Sequence, residues 1–471
     1  PDMRIGLSEP VKGERLSEYA LIPQGVKSGD DNRFRFVFFE LPKICQPWKF
    51  YQSTPSGATD YSGLSFILRF VNDGAELARL QGEAAWGNQG IAIGQMAEMP
   101  QSYYFGEIQD SNINVVIPKQ SKYLLALAAF TQADDFRTAI RSLDQKLAVT
   151  NATVGKVSFD LLRWQKVAAE KYPHGLPKPF SSDSTQWLFD GHPKGSDQPL
   201  HVAVARLLSY RWPRQTGSSF PDCPTLGKDG LEKMVDEDGI VCVSAIKGEA
   251  PASDRLRMLM AAAFGEEWSI NKQSELLAQV EYSGKTLEEW LRNEFFNQHC
   301  QLFHQRPFIW QIWDGLRDGF SVLVNYHMLN RKNLEKLTYT YLGDWIAQQQ
   351  TAVANGEEGS DAKLAAAKEL KGKLEKILEG EPPFDIFVRW KPLKQQPIGW
   401  DPDLNDGVRI NIRPFVEADI LRKTPKIKWD KDRGKEPSRD KDEFPWFWGW
   451  DKTTVDFKGA KEFDGNRWND L

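Results

Sequence analysis

The chain has 471 residues, 41% of them hydrophobic and 27% charged, with a formal net charge of −5. That length exceeds one compact core and implies two to four domains of roughly 100–200 residues each, and the apolar content excludes a disordered chain. The negative balance also excludes a surface that attracts nucleic acid everywhere, while allowing a local basic groove, because phosphate attraction acts within about a Debye length, ~8–10 Å.

Residues 1 to about 165 read as a β-rich domain closed by helices. Arg33–Leu41, Ser65–Val71, Gly90–Ile93 and Asn114–Ile117 are short apolar or alternating runs set between Gly, Pro, Asn and Asp, hence strands. From Lys122 the period changes. Tyr123, Leu124, Leu127 and Ala128 share one helical face, and Phe136, Ile140, Leu143 and Leu147 mark a second helix that ends at Asn151-Ala-Thr153. Val157–Leu161 with Trp164 close the unit.

Residues 166–332 read as a helical region ending in an aromatic β-hairpin. Lys171–Phe180 is a proline-rich connector. Pro199–Trp212 reads as a buried helix, and Arg255–Phe264 as another, capped through Ser253-Asp254 and stopped by Gly265. Thr286–Phe303 reads as a third. On it His299 and a following His304 would point about 140° apart, which suits packed histidines better than metal ligands. Pro307–Trp313 and Phe320–His327 are aromatic, β-branched runs separated by Asp314-Gly315 and Asp318-Gly319, the residues of a hairpin turn. Residues 333–380 give a helical arm, Leu334–Gln350 and Ala362–Leu378, broken at Gly356–Gly359 and read as a spacer. Residues 381–471 are rich in Trp and Pro.

Several strings carry a family likeness. The hairpin, Arg306-Pro-Phe-Ile-Trp310 through Tyr326-His327, resembles a module found downstream of the catalytic domain in large adenine-specific DNA methyltransferases of the type IIG, Eco57I-like and BREX-like restriction–modification and phage-exclusion systems. Gln24-Gly-Val-Lys-Ser-Gly-Asp30-Asp-Asn32-Arg-Phe34 is similar to the string that opens the target-recognition domain in that family. Asp406-Gly-Val-Arg-Ile-Asn-Ile-Arg-Pro-Phe415 and the tail from Phe444 to Asp470 resemble elements near its carboxyl terminus. The resemblance implies a mixed α/β (α+β), multidomain protein with a DNA target-recognition domain at 1–165. It also implies double-stranded DNA as partner, S-adenosylmethionine as cosubstrate of a catalytic domain, and a role in phage defence.

The catalytic half is not read here. An adenine-N6 methyltransferase needs an Asn or Asp before Pro-Pro and an aromatic to hold a flipped base. The nearest string, Glu381-Pro-Pro-Phe384, follows a polar helix and reads as a helix-ending turn. Asn88-Gln-Gly90 and Gly90–Gly94 lack the strand–loop–helix setting of a cofactor loop. No G-x-S-x-G, H-E-x-x-H or P-loop occurs, and Asp430-Lys-Asp432 and Asp440-Lys-Asp442 sit in polar sequence unsuited to a nuclease. No catalytic, cofactor or metal residue is therefore assigned. The chain opens at Pro1, and the expectation is the carboxyl-terminal part of a longer enzyme, with its methyltransferase domain upstream in cis or supplied in trans. A freestanding specificity subunit is the alternative. A carbohydrate-active protein, suggested by the 17 Trp, is a further one.

Binding residues follow from the chemistry of base edges and phosphates. Lys27, Ser28, Asn32 and Arg33 lie in the opening string. Gln52, Asn88, Gln89 and Gln95 lie in polar loops between strands. Lys426, Lys428, Lys431 and Arg433 belong to a basic run from Arg422 to Lys435 that only Asp430 and Asp432 oppose. Arg306 is the candidate anchor of the hairpin. Cys45, Cys223, Cys242 and Cys300 are far apart, without C-x-x-C, and are expected as buried free thiols. No run approaches the ~20 apolar residues that span a bilayer, and no charged-then-apolar leader begins the sequence, so a cytoplasmic protein without a membrane partner is expected.

Overall fold

In the computed structural model, which describes residues 13–428 apart from 97, 382–383, 385 and 387–398, helices and short strands combine in a mixed α/β, multidomain arrangement. The first 118 residues contribute β1 (Ala20–Leu21), β2 (Arg35–Val37), β3 (Trp48–Gln52), β4 (Phe66–Arg69), β5 (Gly90–Gly94), β6 (Gln101–Tyr104), β7 (Ile108–Gln109) and β8 (Ile113–Pro118). They form two four-stranded sheets in the orders β1-β8-β5-β6 and β2-β4-β3-β7. All pairings are antiparallel except β3 with β7. Burial explains why β5 shows no alternation: Ile91 and Ile93 enter the main core, while Ala92 enters a smaller one with Tyr104 and Val115. A strand covered on both faces is apolar throughout.

Local chemistry shortens the strand read at Arg33–Leu41. The Asp30 carboxylate accepts the Arg33 N–H at 3.3 Å and starts a helical turn, Asp31–Phe34. Only Arg35–Val37 is then extended, before a 3-10 turn at Phe38–Glu40. The helices Leu124–Thr131 and Asp134–Leu143 form where expected, but the second buries only Phe136 and Ile140: it ends at Leu143, and Leu143 and Leu147 are exposed. Asn151 starts a helical segment rather than ending one, because the Thr150 hydroxyl accepts the Thr153 N–H at 3.3 Å.

Helix Pro199–Leu207 is shorter than the expected Pro199–Trp212, ending at Leu208. Helix Ala252–Phe264 begins after Pro251, with Ser253 and Asp254 inside its first turn rather than capping it, and ends at Gly265 with φ 58°. Thr286 caps the next segment reciprocally with Glu289. That segment is two helices, Leu287–Asn293 and Phe295–Leu302, because Glu294 leaves helical geometry at φ −122°. His304 lies past their end, at φ 54°.

Ile240–Cys242 forms β9, and the hairpin strands are β10 (Ile309–Trp313) and β11 (Ser321–Asn325). The hairpin register runs from Ile309↔Asn325 to Trp313↔Ser321, and β9 pairs with the other edge of β11. The turn is organised by Asp314, whose carboxylate accepts N–H bonds from Leu316 at 3.0 Å and Phe320 at 2.8 Å. A side chain at Gly319 would strike that carboxylate. The hairpin's aromatic surface is covered by the late segment: Trp310 stacks on Tyr326 at 4.8 Å and meets Phe415 at 5.0 Å. Helices Leu342–Ala354 and Ser360–Glu379 pack together, and Lys363 ties the second to Asp318 at 2.7 Å.

Among the described residues no helix is long and apolar enough to cross a membrane. All four cysteines are free thiols. Cys223, Cys242 and Cys300 are buried, but Cys45 is exposed, in the turn preceding β3.

Candidate nucleic-acid interface

The string opening at Gln24 is held by backbone bonds to the segments around Arg79 and Gln109. Val26 N–H donates to the Gln109 carbonyl at 2.8 Å, and Lys27 and Arg79 exchange backbone bonds at 3.1 and 3.0 Å. Gly25 is required because a Cβ would strike the carbonyls of Asp110 and Gln109. Gly29 has φ 81° and faces Ala78. The side chains divide by role. Ser28 is buried and donates to Asp31; Arg33 pairs with Glu76. Lys27 is exposed, and Asn32 is half-exposed in the helical turn.

A basic strap runs beside the hairpin. Ile420–Arg422 runs along the free edge of β10: Trp313 N–H donates to the Ile420 carbonyl at 3.0 Å and Arg422 N–H to the Gln311 carbonyl at 2.9 Å. The Arg422 guanidinium lies 4.1 Å from the centroid of the Trp313 ring, which desolvates it and holds its pKa below the ordinary arginine value. Farther on, Lys426 N–H donates to Gln305 Oε1 at 2.9 Å. Lys423, Lys426 and Lys428 are exposed.

Gln305 precedes Arg306, and Arg306 lines a cleft of about 170 Å³ together with Asn32, Arg35, His304 and Arg409. The opening string and the entrance to the hairpin thus meet at this cleft, and the strap is tied to the residue before Arg306. The charges there are organised rather than free. Arg35 pairs with Asp31 at 2.9 Å and Asp110 at 3.2 Å, while Arg306 and Arg409 share the buried carboxylate of Glu40. Burial pushes the Asp110 carboxyl up, with Asn112 N–H and Arg35 opposing, and pushes the His304 imidazole down.

The remaining predicted residues lie apart from this cleft. Gln52 is fully buried, and its Nε2 donates to the carbonyls of Ser53 and Ser62, both at 2.9 Å, so it fastens the 53–63 loop and presents no edge outward. Gln95 donates to the Ser111 carbonyl at 3.1 Å and braces the turn before β8. Asn88 is exposed but bonded back to Ala84 and Trp86. Gln89 reaches Asp222 at 3.3 Å beside a separate cleft of about 520 Å³. Lys431 and Arg433 lie outside the described residues. Arg35, His304 and Arg409 were not anticipated. For Arg409 a signal existed in the Asp406–Phe415 string, whereas nothing in the sequence joins Arg35 to residues 270 positions away.

No metal-ready group of three or more His, Cys, Asp or Glu occurs among the described residues. Gly90 and Gly94 lie within β5 itself rather than in a loop that opens a helix, so this run does not build a nucleotide cradle.

No protein-family model matches the chain. Among curated proteins, the adenine-specific methyltransferase BrxX of Escherichia coli O9:H4 (strain HS) is 22% identical over 208 residues, 41% of this chain. Over that stretch the chain is distantly similar to this methyltransferase. The match takes in only 16% of BrxX.

Proposed function

We propose that this chain is the DNA-binding, sequence-reading part of an adenine-N6 DNA methyltransferase of a restriction–modification or phage-defence system. The observation that carries the proposal is the meeting of the opening string and the hairpin entrance at the cleft lined by Asn32 and Arg306, with the basic strap tied to Gln305, the residue before Arg306, through the Lys426 N–H. In this reading Lys27, Lys426 and Lys428 meet phosphates, which attract the protein without regard to sequence. Asn32 reaches toward a base edge, where a carboxamide can both donate and accept. The similarity to BrxX supports the methyltransferase setting. S-adenosylmethionine and the transfer chemistry belong to a catalytic domain joined upstream or supplied as a separate chain.

The test is selection of bound duplexes from a random pool by gel shift, using the full chain with and without a catalytic partner. Enrichment of one short asymmetric site is expected. Failure to retain any duplex at low salt overturns the proposal.

A further inference from the structure

The 76–81 segment lies along the opening string, and on it Arg79 is the direct cross-strand partner of Lys27. The two residues exchange both backbone bonds, Lys27 N–H to the Arg79 carbonyl and Arg79 N–H to the Lys27 carbonyl. Such a pair sets its side chains on one face, with Cβ atoms about 5 Å apart. Both side chains are exposed. Like charges placed directly opposite each other repel and cost stability. A carboxylate beside them would relieve that cost, yet among the described residues neither cation makes an ion pair. Elsewhere in the string the arginines are matched: Arg33 pairs with Glu76, and Arg35 with Asp31 and Asp110. Acids are not scarce, since 65 Asp and Glu stand against 60 Lys and Arg. The backbone beneath the pair is fixed. Val26 and Leu77 enter one small core, Ala78 N–H donates to the Ser28 carbonyl at 3.2 Å, and Gln81 Nε2 donates to the Gly25 carbonyl at 2.8 Å. Two cations held side by side, facing water and unmatched within the protein, form a seat for an anion from outside.

We propose that Lys27 and Arg79 together grip one phosphate of the DNA backbone, which makes Arg79 a contact residue of the interface. The guanidinium offers a planar fork of N–H donors and the ammonium a compact charge, and both can reach the oxygens of a single tetrahedral group from roots this close. The clamp carries no base information. It fixes the register of the string on the duplex, and thereby the position of Asn32 five residues on. This inference rests on the DNA-reading proposal and widens its surface from the opening string to the 76–81 segment.

Gel-shift titration of the full chain with mixed-sequence duplexes at low salt tests the clamp. Arg79→Glu should weaken retention of every duplex by about 10-fold or more. Arg79→Lys, which keeps the charge but not the fork, should retain most of the affinity. Arg79→Ala should lower the slope of log affinity against log salt by about one unit. Because the two cations share one phosphate, replacing both Lys27 and Arg79 by alanine should cost less than the product of the two single losses. Thermal unfolding adds a readout that a structural role would move the other way. Arg79→Glu sets opposite charges across the ladder, so its midpoint at low salt should equal or exceed that of the wild-type chain. Unchanged duplex retention by Arg79→Glu overturns the clamp while leaving the DNA-reading proposal in place. A lowered midpoint, or single losses that multiply independently, also overturns the clamp. Failure of the wild-type chain to retain any duplex removes the DNA-reading proposal and the clamp with it.

Discussion

Glu40 Oε1 lies 3.3 Å from Nε of Arg409, with only 1% and 4% of the two side chains exposed, and the Arg306 Nε lies 3.9 Å from the same oxygen. The pair joins the turn after β2 to a segment nearly 370 residues later. Arg409 is further held over the Phe36 ring at 4.1 Å. A buried ion pair is a modest stabiliser as a whole, but removal of one member strands the other charge in a low dielectric. Glu40→Gln and Arg409→Met should each cost about 3–5 kcal/mol. The double replacement should cost less than the two single losses together. Urea unfolding of the four proteins checks this, and strict additivity would show that the pair is not coupled.

The opening string makes a second expectation, from space rather than charge. Gly25 sits where the chain crosses the Gln109 and Asp110 carbonyls, and backbone atoms cannot move aside as a flexible side chain can. Gly25→Ala should destabilise the protein by about 1–3 kcal/mol, the usual cost of overpacking. Gly87, with open space around its Cβ position, bears on the same question as a control. Its φ of 75° makes alanine strained there, but without the carbonyl clash. Thermal unfolding should therefore show the larger drop for Gly25→Ala.

Strong local patterns were legible in the sequence. β4, β5, β8, the hairpin and the main helices show in their hydrophobic period and their Gly or Asp stops. What escaped depends on partners distant in sequence. β9 is three residues long and exists because β11 offers an edge, and β3 follows Cys45-Gln-Pro47, which reads as loop. The break at Glu294 interrupts a continuous apolar helical pattern, so periodicity could not show it. At the candidate interface, polarity marked the right kinds of residue but not their direction. Gln52 and Gln95 turn inward because carbonyls of neighbouring loops need donors, a requirement that composition does not reveal.

The buried histidines give a pH expectation. Burial holds the imidazole of His201 down at about 4 and that of His327 at about 3, and it holds His299 well below its ordinary value. Each is depressed relative to an unfolded value near 6.5. The unfolded chain therefore binds more protons below that value, and stability falls as pH drops from about 6.5 toward 4. His201 lies among Trp290, Phe295 and His299, so a phenyl ring can take its place. His201→Phe should make the loss of stability between pH 6 and 5 shallower by about 1.4 kcal/mol per pH unit. An unchanged slope in urea titrations would mean that His201 carries its proton in the folded protein.

Salt dependence separates phosphate contacts from base contacts at the proposed interface. Lys426 and Lys428 are exposed on the strap, and the Lys426 backbone is fixed by Gln305 independently of its side chain, so truncation leaves the strap in place. Lys426→Ala and Lys428→Ala should each weaken binding to every duplex alike and reduce the slope of log affinity against log salt by about one unit. Asn32→Ala should leave that slope unchanged and relax preference at one base pair, worth about 1–3 kcal/mol. Gln52→Ala acts by a third route: it frees the 53–63 loop and should lower the unfolding temperature without changing which sequences are preferred. If the lysine replacements altered sequence preference while leaving the salt slope intact, the strap would be touching bases instead of the phosphate backbone.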